Sequence, residues 1–600
     1  MCLLGFDVAE PEDDLVGFAI EFKEPGASDF EPLNNRLAFS YNVPAVVAVT
    51  GDRQFSSLKA PFQKFRWIHF PKDVKSGVYT YRATKMHMPQ DLVLKKGRSI
   101  TLEISLDPVT YSDFLDIGFT RNFASSQAFR EKLGNPTDID AIGATIIPAD
   151  ADDGLKFKKM AGDIYQWMGF EAYDLFFGFL DDVINDPGVT LDVFAYDFNE
   201  PDILKKLEAL GHRLRIIIDD STTVKKKVKS GHGVSTSPES TAARRLQKSA
   251  GKKSVKRTHF KNLQHHKVLI ARRGGKPFKV LGGSTNFSYR GFYIQANNAF
   301  VFYNEDVAAL YGAVFDAAFD DPDSFETTQL AKKWHLVQTE NMPPVHFCFS
   351  PHQLTDLSLQ PVQGAIAQAS SSVLFAVAFL YQMGQGITKD EFDRLMNRPV
   401  FSYGVSDKGG TLQVHKPDGS IGLVDFEYLA EHAPEPFKRE WSGGKGINIH
   451  HKFVVTDFSL PTAKVFTGSS NLSPSGERKN GDHLIMIEDQ RIATSYAIEA
   501  LRMFDHLHFR TVMESAKKKK TKKEKDKPPR LTLQKPKAIS HASENWFEPY
   551  YKAGSQKEKD RLLFAGVRIS VGDGKSYEGN PFFAIDFISL QKRSSSPSVV

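Results

Sequence analysis

The sequence predicts an α/β protein made of two similar halves, preceded by an N-terminal β-sandwich. Three observations predict this. The first 145 or so residues contain short alternating apolar and polar segments, strands then alternate with helices, and a set of polar residues recurs 185 positions later. At 600 residues, the chain is also too long for a single hydrophobic core.

The N-terminal part reads as short, half-buried strands. Segments such as "VGFAIEF", "KFRWIHF" and "SITLEISL" alternate apolar with polar residues, and Gly, Pro and Asp separate them. This pattern is typical of a β-sandwich. Because the region contains no cluster of reactive side chains, we interpret residues 1–148 as an accessory domain.

From about residue 150 the periodicity changes. The segment 188–198, "GVTLDVFAYDF", predicts a buried strand, "EPDILKKLEAL" has helical spacing, and 213–219 returns as a strand. Such a β-α-β unit implies parallel pairing. The order recurs later in "SSVLFAVAFL", "KDEFDRLM" and "PVFSYGV". We therefore predict two α/β domains, at 149–335 and 336–510.

Composition excludes several classes of protein. The 41% hydrophobic and 25% charged residues are those of an ordinary globular protein, and no apolar run is long enough for a spanning helix. The N-terminus lacks the pattern of a secretory signal. Cys2 and Cys348 cannot build a disulfide framework. A cytoplasmic location is the default expectation, with secretion by a non-classical route left open.

Positive charge is concentrated in two segments. The net charge is only +5, yet 12 Lys/Arg stand against the single acid Glu239 between Lys225 and Lys261. A second run, 517–530, opens the C-terminal extension 511–600. Neither shows helical or strand periodicity, so we predict mobile loops, the first spanning 221–262. They are either solvated linkers or contacts to a polyanion, which could be nucleic acid or an anionic membrane surface.

The strongest signal is an internal repeat of polar residues. "HHK" occurs at 265–267 and again at 450–452, and apolar strands follow both copies. Gly-Ser-x-Asn then follows at 283–286 and 468–471, so that Lys267 to Asn286 and Lys452 to Asn471 both span 19 residues. Ordinary core strands have no reason to share such polar residues at fixed offsets.

Two histidines and two lysines suit reaction at a phosphodiester. One of His265 and His450 attacks phosphorus and forms a phosphohistidine, while the other protonates the leaving oxygen and then activates water. Cationic and amide donors neutralise the non-bridging oxygens. The predicted donors are Lys267, Lys452, Ser284, Asn286, Ser469 and Asn471. The scheme needs no metal and no cofactor.

These residues resemble the phospholipase D superfamily, whose signature is His-x-Lys, four residues, Asp, then Gly-Ser-x-Asn. The second copy satisfies it, with Asp457 at the aspartate position, whereas the first copy has Arg272 there. The resemblance implies two phospholipase D-like α/β lobes related by a pseudo-twofold axis, with both motifs at their interface. One chain would then form the whole site.

The resemblance also suggests which groups support the histidines. Asp482 stands where the family has an acid that orients a motif imidazole, and its counterpart in the first copy is Asn297. The two histidines are therefore expected to be unequal. By analogy with the family His265 is the nucleophile, although the asymmetry could reverse the roles. Asp457 is expected to be structural, and Arg272 points toward nucleic acid, because some diesterases of the superfamily that act on DNA adducts also lack this aspartate.

The neighbouring histidines have a simpler interpretation. His266 and His451 should face the opposite side of the strand from the motif histidines, and we interpret them as packing groups. A zinc site built from all four histidines is disfavoured, because adjacent histidines cannot easily turn both rings to one metal.

The predicted function is hydrolysis of a phospholipid headgroup diester, or transfer of the phosphatidyl group to another alcohol. The basic loops would then contact an anionic membrane surface. The alternative is a nuclease or nucleic-acid phosphodiesterase, with the basic loop guiding the backbone to His265. A third class, an inactive phosphate-binding scaffold, is supported only by Arg272 and Asn297.

Overall fold

The structure is a computed structural model, and it describes most of the 600 residues. The described residues are 1–40, 55–106, 110–111, 113–125, 128–129, 132, 151–159, 163–225, 227–384, 386–408, 423–425, 448–518 and 532–565.

An eight-stranded sheet organises the first half of the α/β region. Its first three strands are parallel, and all the later neighbours pair antiparallel. In spatial order the strands are Val255–Arg257, Leu214–Ile218, Val189–Ala195, Val268–Arg273, Lys276–Gly283, Asn298–Phe302, Leu115–Phe119 and Thr110–Tyr111.

A nine-stranded sheet organises the second half. Eight of its strands are Leu423–Asp425, Phe401–Lys408, Ser372–Phe379, Lys452–Thr456, Lys464–Gly468, Asn480–Ile487, Val345–Ser350 and His335–Val337. The first three are again parallel and the rest antiparallel. Strand order and direction are therefore the same in both sheets. The ninth strand, Leu263–Gln264, comes from the first half and pairs with Asn480–Ile487.

Helices connect these strands, as the sequence predicts. The predicted β-α-β unit is confirmed as Val189–Ala195, Pro201–Leu210 and Leu214–Ile218. Glu200 begins its helix by accepting hydrogen bonds from the backbone N–H groups of Asp202 and Ile203. The described α-helices are Ile164–Asn185 (broken at Phe170), Pro201–Leu210, Pro238–Ala250, Tyr289–Tyr293, Glu305–Asp320, Leu359–Gln368, Ile387–Leu395, Pro474–Lys479, Gln490–Lys518, Lys537–Ser540 and Gln556–Ala565.

The described helices carry no candidate membrane span: none of them combines the length and apolarity needed to cross a bilayer. One large apolar core extends from the first sheet into the second. The two sheets thus share packed side chains as well as the strand Leu263–Gln264.

The N-terminal strands form an antiparallel four-stranded sheet and two strand pairs. The sheet has the order Glu31–Pro32, Leu15–Lys23, Val78–His87 and Lys95–Ser105; the pairs are Cys2–Gly5 with Arg66–His69 and Asn34–Asn35 with Phe55–Ser56. C-terminal aromatic residues complete the core of this region, since Trp546 packs against Phe18 and Phe65.

Two sequence-based expectations need correction. Strands Thr110–Tyr111 and Leu115–Phe119, placed in the accessory domain 1–148, belong to the first sheet. They occupy the same sheet positions as His335–Val337 and Val345–Ser350 in the second, so the first half begins near residue 110. Short alternating strands do not reveal which sheet they join, and this caused the error.

The basic segment 221–262 is also more ordered than predicted. It contains the hairpin Thr223–Lys225 and Val228–Ser230, the helix Pro238–Ala250 and the strand Val255–Arg257. The helix was missed because its buried face consists mainly of alanines and one leucine, which give weak apolar periodicity. The other basic run, 517–530, lies almost wholly outside the described residues.

Candidate active site

Backbone pairing between the halves positions both motif histidines. The N–H of His265 donates to the carbonyl of Gly481, at 2.9 Å, in the second half. The N–H of His450 donates to the carbonyl of Ala296, at 3.0 Å, in the first half. The two bonds are equivalent under the 185-residue register, so each half holds the histidine of the other.

The side-chain contacts of the histidines also cross between the halves. Nδ1 of His265 lies 2.7 Å from Oδ1 of Asp482, and Nδ1 of His450 lies 2.9 Å from Oδ1 of Asn297. Both rings are buried. These are the two orienting groups that the sequence predicts for the two imidazoles.

The orienting groups determine which ring nitrogen carries the hydrogen. Burial opposes the ionisation of Asp482, but the contacts with His265 outweigh it and hold the pKa of this carboxyl below its usual range. An ionised carboxylate only accepts, so Nδ1 of His265 donates. The amide nitrogen of Asn297 donates to the carbonyl of Gly291, which turns its oxygen toward His450. In both rings Nε2 therefore keeps its lone pair.

The two motif serines support the orienting groups rather than the predicted phosphate site. The hydroxyl of Ser469 donates to Oδ1 of Asp482 at 2.7 Å, and that of Ser284 donates to Oδ1 of Asn297 at 2.8 Å. Both serines are fully buried. Their assignment as phosphate-binding residues is thus corrected, because each hydroxyl hydrogen is already used behind an imidazole.

The motif lysines lie in the same buried region. Each Nζ donates to the backbone carbonyl of its own motif histidine, Lys267 to His265 and Lys452 to His450. Burial lowers the pKa of Lys267 to about 7, and burial followed by the charge of Lys267 lowers that of Lys452 well below its usual value. A bound anion would compensate both charges and raise these pKa values.

Burial also acts on the two imidazoles. It lowers the pKa of His265 to about 4, with the charge of Lys267 as the next cause. The pKa of His450 is lowered well below its ordinary value by burial and then by Lys452. Both rings are neutral at pH 7 in the free protein. A neutral imidazole with a free Nε2 is the form that attacks phosphorus.

The motif asparagines lie at equivalent places in the two halves. The amide nitrogen of Asn286 donates to Asp197, and that of Asn471 donates to Gln382, both at 3.3 Å. Their amide oxygens are buried and have no hydrogen-bond partner within the described part of the chain. Each amide group carries a second N–H, which can serve a phosphate oxygen.

Asp197, Gln382 and Tyr196 were missed by the sequence analysis. The ring of Tyr196 lies edge-on to His265, with centroids 4.6 Å apart, and Nζ of Lys267 lies 4.6 Å from the same ring centroid. The sequence does contain a signal for these residues. The segments "FAYD" at 194–197 and "FLYQ" at 379–382 are similar and also lie 185 residues apart. The repeat thus includes the strand ends facing the motif asparagines.

His266 and His451 lie in the core behind the motif histidines, as predicted. Nδ1 of His266 lies 3.2 Å from Nδ1 of His483, and the two rings stack. Nε2 of His451 lies 3.2 Å from the carboxylate of Glu499. Burial lowers the pKa of both residues. Neither makes a hydrogen bond to a motif histidine or lysine among the described residues.

The aspartate position of the signature has a structural role in both halves. Asp457 accepts hydrogen bonds from the backbone N–H groups of residues 370–372, where the strand Ser372–Phe379 begins. Arg272 is buried, and it donates to Asp192 at 2.5 Å and to Asp316 at 2.9 Å. The side chain of Arg272 is therefore engaged within the first half. The hint toward nucleic acid rested on the missing aspartate, not on a contact of this arginine, and it stays a prediction.

Comparison with known proteins agrees with this geometry. Residues 180–319 match the model of a family described as the phospholipase D-like domain of cardiolipin synthase. No curated protein matches the chain. The match over residues 180–319 supports the resemblance of the chain to the phospholipase D superfamily.

Several solved structures are similar to parts of the chain. Phosphatidylserine synthase from Haemophilus influenzae Rd KW20 is 12% identical, with a TM-score of 0.38, over 64% of this chain and 93% of that one. Nuc from Salmonella typhimurium is 22% identical, with a TM-score of 0.18, over 24% and 84%. Yeast tyrosyl-DNA phosphodiesterase is 11% identical, with a TM-score of 0.29, over 52% and 84%.

Proposed function

We propose that the protein is a metal-independent phosphodiesterase that cleaves phospholipid headgroup diesters through a phosphohistidine. The observation that carries this proposal is the reciprocal support of the two imidazoles, His265 by Asp482 and His450 by Asn297. Neither half has a complete set alone. The two halves would act as lobes related by a pseudo-twofold axis, and the N-terminal strands as an accessory β-sandwich.

In the first step Nε2 of one histidine attacks phosphorus, and the bond to the leaving alcohol oxygen breaks. His265 is assigned as the nucleophile, because the carboxylate of Asp482 stabilises the positive charge that its ring acquires. His450 donates a proton to the leaving oxygen. Being neutral in the free protein, it must gain this proton when the anionic substrate enters and raises its pKa.

In the second step His450 accepts a proton from water, or from an alcohol in a transfer reaction. The oxygen then attacks phosphorus, and the bond to Nε2 of His265 breaks. Lys267, Lys452 and the second amide hydrogens of Asn286 and Asn471 would stabilise the non-bridging oxygens in both steps. Each step thus restores the protonation state that the other requires.

A specific feature of the basic segment favours a lipid surface. The hairpin Thr223–Lys225 and Val228–Ser230 presents Val224 and Val228, which are 61% and 67% exposed, beside the exposed Lys227 and Lys229. An anionic membrane surface can accept both cations and apolar side chains. A phosphate backbone uses only the cations. His232 follows this hairpin closely, and its ring lies 4.6 Å from that of Tyr196, beside His265.

Nucleic acid is the second candidate substrate. It is favoured by the 12 Lys/Arg between Lys225 and Lys261, which lead directly into His265. Exposed cations so close to the imidazoles could guide a nucleic-acid backbone. The same two-histidine chemistry would serve it.

The test is hydrolysis in excess chelator, with mixed phospholipid vesicles and nucleic acid offered in parallel. Wild type is compared with His265→Ala, His450→Ala and the control His346→Ala, which removes a histidine paired with Glu488 far along the sheet. We expect lipid turnover in wild type and control, and none in the two motif variants. Turnover that survives in both motif variants would overturn the mechanism, and cleavage of nucleic acid alone would establish the second substrate.

A further inference from the structure

A second cluster of polar side chains lies beside the two-histidine site. Asp197 follows the strand Val189–Ala195, His232 follows the basic hairpin, and Glu239 lies in the first turn of Pro238–Ala250. One ligand atom from each of the three lies within 4.8 Å of the others. The proposed phosphohistidine mechanism uses none of them.

A carboxylate on the side of the ring away from the cluster fixes the orientation of His232. Its Nδ1 lies 2.8 Å from Oδ2 of Asp219, so Nε2 faces the cluster, 3.9 Å from Oε1 of Glu239. Asp219 also accepts from the backbone N–H of Gln264 and from Ser221. A histidine whose far nitrogen is held by a carboxylate is the usual arrangement of a metal-binding imidazole.

Three carboxylates, those of Asp197, Asp219 and Glu239, surround the single imidazole of His232. The cations Lys267 and Arg257 act on them without pairing directly with Asp197 or Glu239 in the part of the chain that the structure describes. Glu239 is 2% exposed, and among the described residues its ion-pair partner is His232 alone. Asp197 has no ion-pair partner in the same part of the chain; it accepts only from Asn286. The guanidinium of Arg257 donates to the backbone carbonyls of Asp219 and His232 instead of to these carboxylates. A buried carboxylate without sufficient positive charge is unfavourable unless it binds a cation.

We propose that Asp197, His232 and Glu239 bind one divalent transition-metal cation, with Asp219 as the residue that positions His232. One imidazole and two carboxylates suit zinc or manganese, and Glu239 also accepts from the N–H of Phe198, which holds its side chain in place. Asp197 and His232 are partly exposed, which leaves an entry path and room for water as a further ligand.

The ion would lie next to the candidate phosphate site without taking part in its chemistry. Asp197 is the partner of Asn286, whereas the equivalent residue of the second half, Gln382, is neutral. At this position the second half therefore offers no carboxylate to a cation. The proposed cation site does not rest on the proposed function, since Asp197, His232 and Glu239 could bind a metal whatever the roles of His265 and His450.

The test measures metal binding, not activity. Chelator-stripped protein is dialysed against Zn²⁺ and against Co²⁺, with bound metal quantified and the absorption bands of low-coordinate Co²⁺ recorded. The variants are Glu239→Gln, which keeps an oxygen for the N–H of Phe198, His232→Gln and Asp219→Asn. His346→Gln is the matched control, because it removes a histidine that lies 2.9 Å from a carboxylate but has no third ligand among the residues that the structure describes.

We expect one Zn²⁺ per chain in wild type and in His346→Gln, and at least roughly 100-fold weaker binding in Glu239→Gln and His232→Gln. Asp219→Asn should weaken binding roughly 10- to 100-fold. The double variant His265→Asn/His450→Asn must keep the bound ion, which would show that the motif histidines are not its ligands. The proposal would be overturned if wild type bound less than one Zn²⁺ per chain at a 100-fold excess of the metal. Equal binding of Zn²⁺ by wild type and folded Glu239→Gln would overturn it as well. Thermal unfolding of each variant shows whether it is folded.

Discussion

His265 and Asp482 lie in different halves of the chain, yet their side chains are 2.7 Å apart and both are buried. The equivalent contact in the other direction joins His450 to Asn297, an amide in place of a carboxylate. The site is therefore symmetric in position and asymmetric in charge. Because a carboxylate stabilises an imidazolium better than an amide does, the two histidines should not exchange roles.

The first prediction concerns this asymmetry. Asp482→Asn should lower kcat roughly 10²- to 10⁴-fold with little change in KM, since the loss of the carboxylate affects the charge and tautomer of His265 rather than substrate binding. In the wild type, the covalent intermediate trapped by rapid quenching should carry the phosphatidyl group on His265, because only the headgroup alcohol has left. Mass spectrometry of the peptides locates it.

The control for this prediction is the exchange variant Asp482→Asn/Asn297→Asp, which moves the carboxylate behind His450. The trapped phosphatidyl group should then shift toward His450. A phosphatidyl group found on His450 in the wild type would contradict the assignment. An unchanged kcat in Asp482→Asn would show that the carboxylate does not support the nucleophile.

The second prediction concerns Arg272. Its side chain is 11% exposed and donates to Asp192, Asp316 and the carbonyl of Gly312. Arg272→Ala leaves the buried Asp192 with Arg215 as its ion-pair partner. We expect the free energy of unfolding to fall by about 2 kcal/mol, less than the roughly 3–5 kcal/mol for an uncompensated buried charge, because Arg215 still pairs with Asp192. The kcat of the folded protein should stay unchanged, because the hydrogen bonds of Arg272 within the described part of the chain go to residues other than the motif residues.

Arg273→Ala is the matched control for Arg272→Ala. The side chain of Arg273 is 62% exposed and pairs with Asp186, so its loss should cost less than about 1 kcal/mol. Urea denaturation measures both variants. Equal losses for the two, or a specific fall in kcat for Arg272→Ala, would argue against a purely structural role.

Much of the fold and the site could be predicted from the sequence, because the repeat preserves both spacing and residue type. The repeat points to His265, Lys267, His450 and Lys452, and the structure places Asp482 and Asn297 against the two imidazoles. The catalytic roles of these residues stay predictions. The roles of Ser284 and Ser469 could not be predicted, since a hydroxyl that donates behind an imidazole and one that binds phosphate look alike in sequence. Only the contacts between the halves distinguish them.

The assignment of two strands, Thr110–Tyr111 and Leu115–Phe119, to the accessory domain failed for a related reason. Leu115–Phe119 pairs with the strand Asn298–Phe302, about 180 residues later, and Thr110–Tyr111 joins the sheet only through Leu115–Phe119. No local pattern encodes such a distant partner. The basic segment was misjudged because charge dominated its appearance, although Ala242, Ala243 and Leu246 bury one side of its helix. Small buried residues carry little periodic signal.

The third prediction uses the buried imidazole of His265, whose pKa is lowered to about 4 by burial. Between this value and the ordinary value near 6.5, the unfolded chain binds more protons than the folded one. The folded state therefore loses stability as pH falls from 6.5 toward 4. Buried carboxyls with raised pKa values, such as Glu171 and Glu477, act in the opposite direction.

The difference between wild type and His265→Asn isolates the histidine. From pH 7 to pH 4.5 the wild type should lose about 2 kcal/mol of unfolding free energy relative to the variant. Urea denaturation at several pH values measures this difference. A constant difference across the range would mean that the pKa of His265 is the same in the folded and unfolded states.

The fourth prediction uses the exposed hairpin to distinguish a surface that binds lipid from one that binds nucleic acid. Val224→Ser/Val228→Ser removes apolar side chains that are more than half exposed, so folding should be unaffected. Binding to anionic vesicles should weaken by several-fold, because less apolar area enters the interface, while binding to nucleic acid should not change.

Lys227→Glu/Lys229→Glu is the companion variant, since it reverses two exposed charges on the same hairpin. Its binding to vesicles should weaken, and the salt dependence of that binding should become shallower, because fewer cations contact the anionic surface. Vesicle sedimentation and nucleic-acid binding are measured at 50 and 200 mM salt. If the valine variant binds vesicles as wild type does, while the lysine variant loses only nucleic acid, the hairpin belongs to a nucleic-acid surface. The second substrate class then replaces the first.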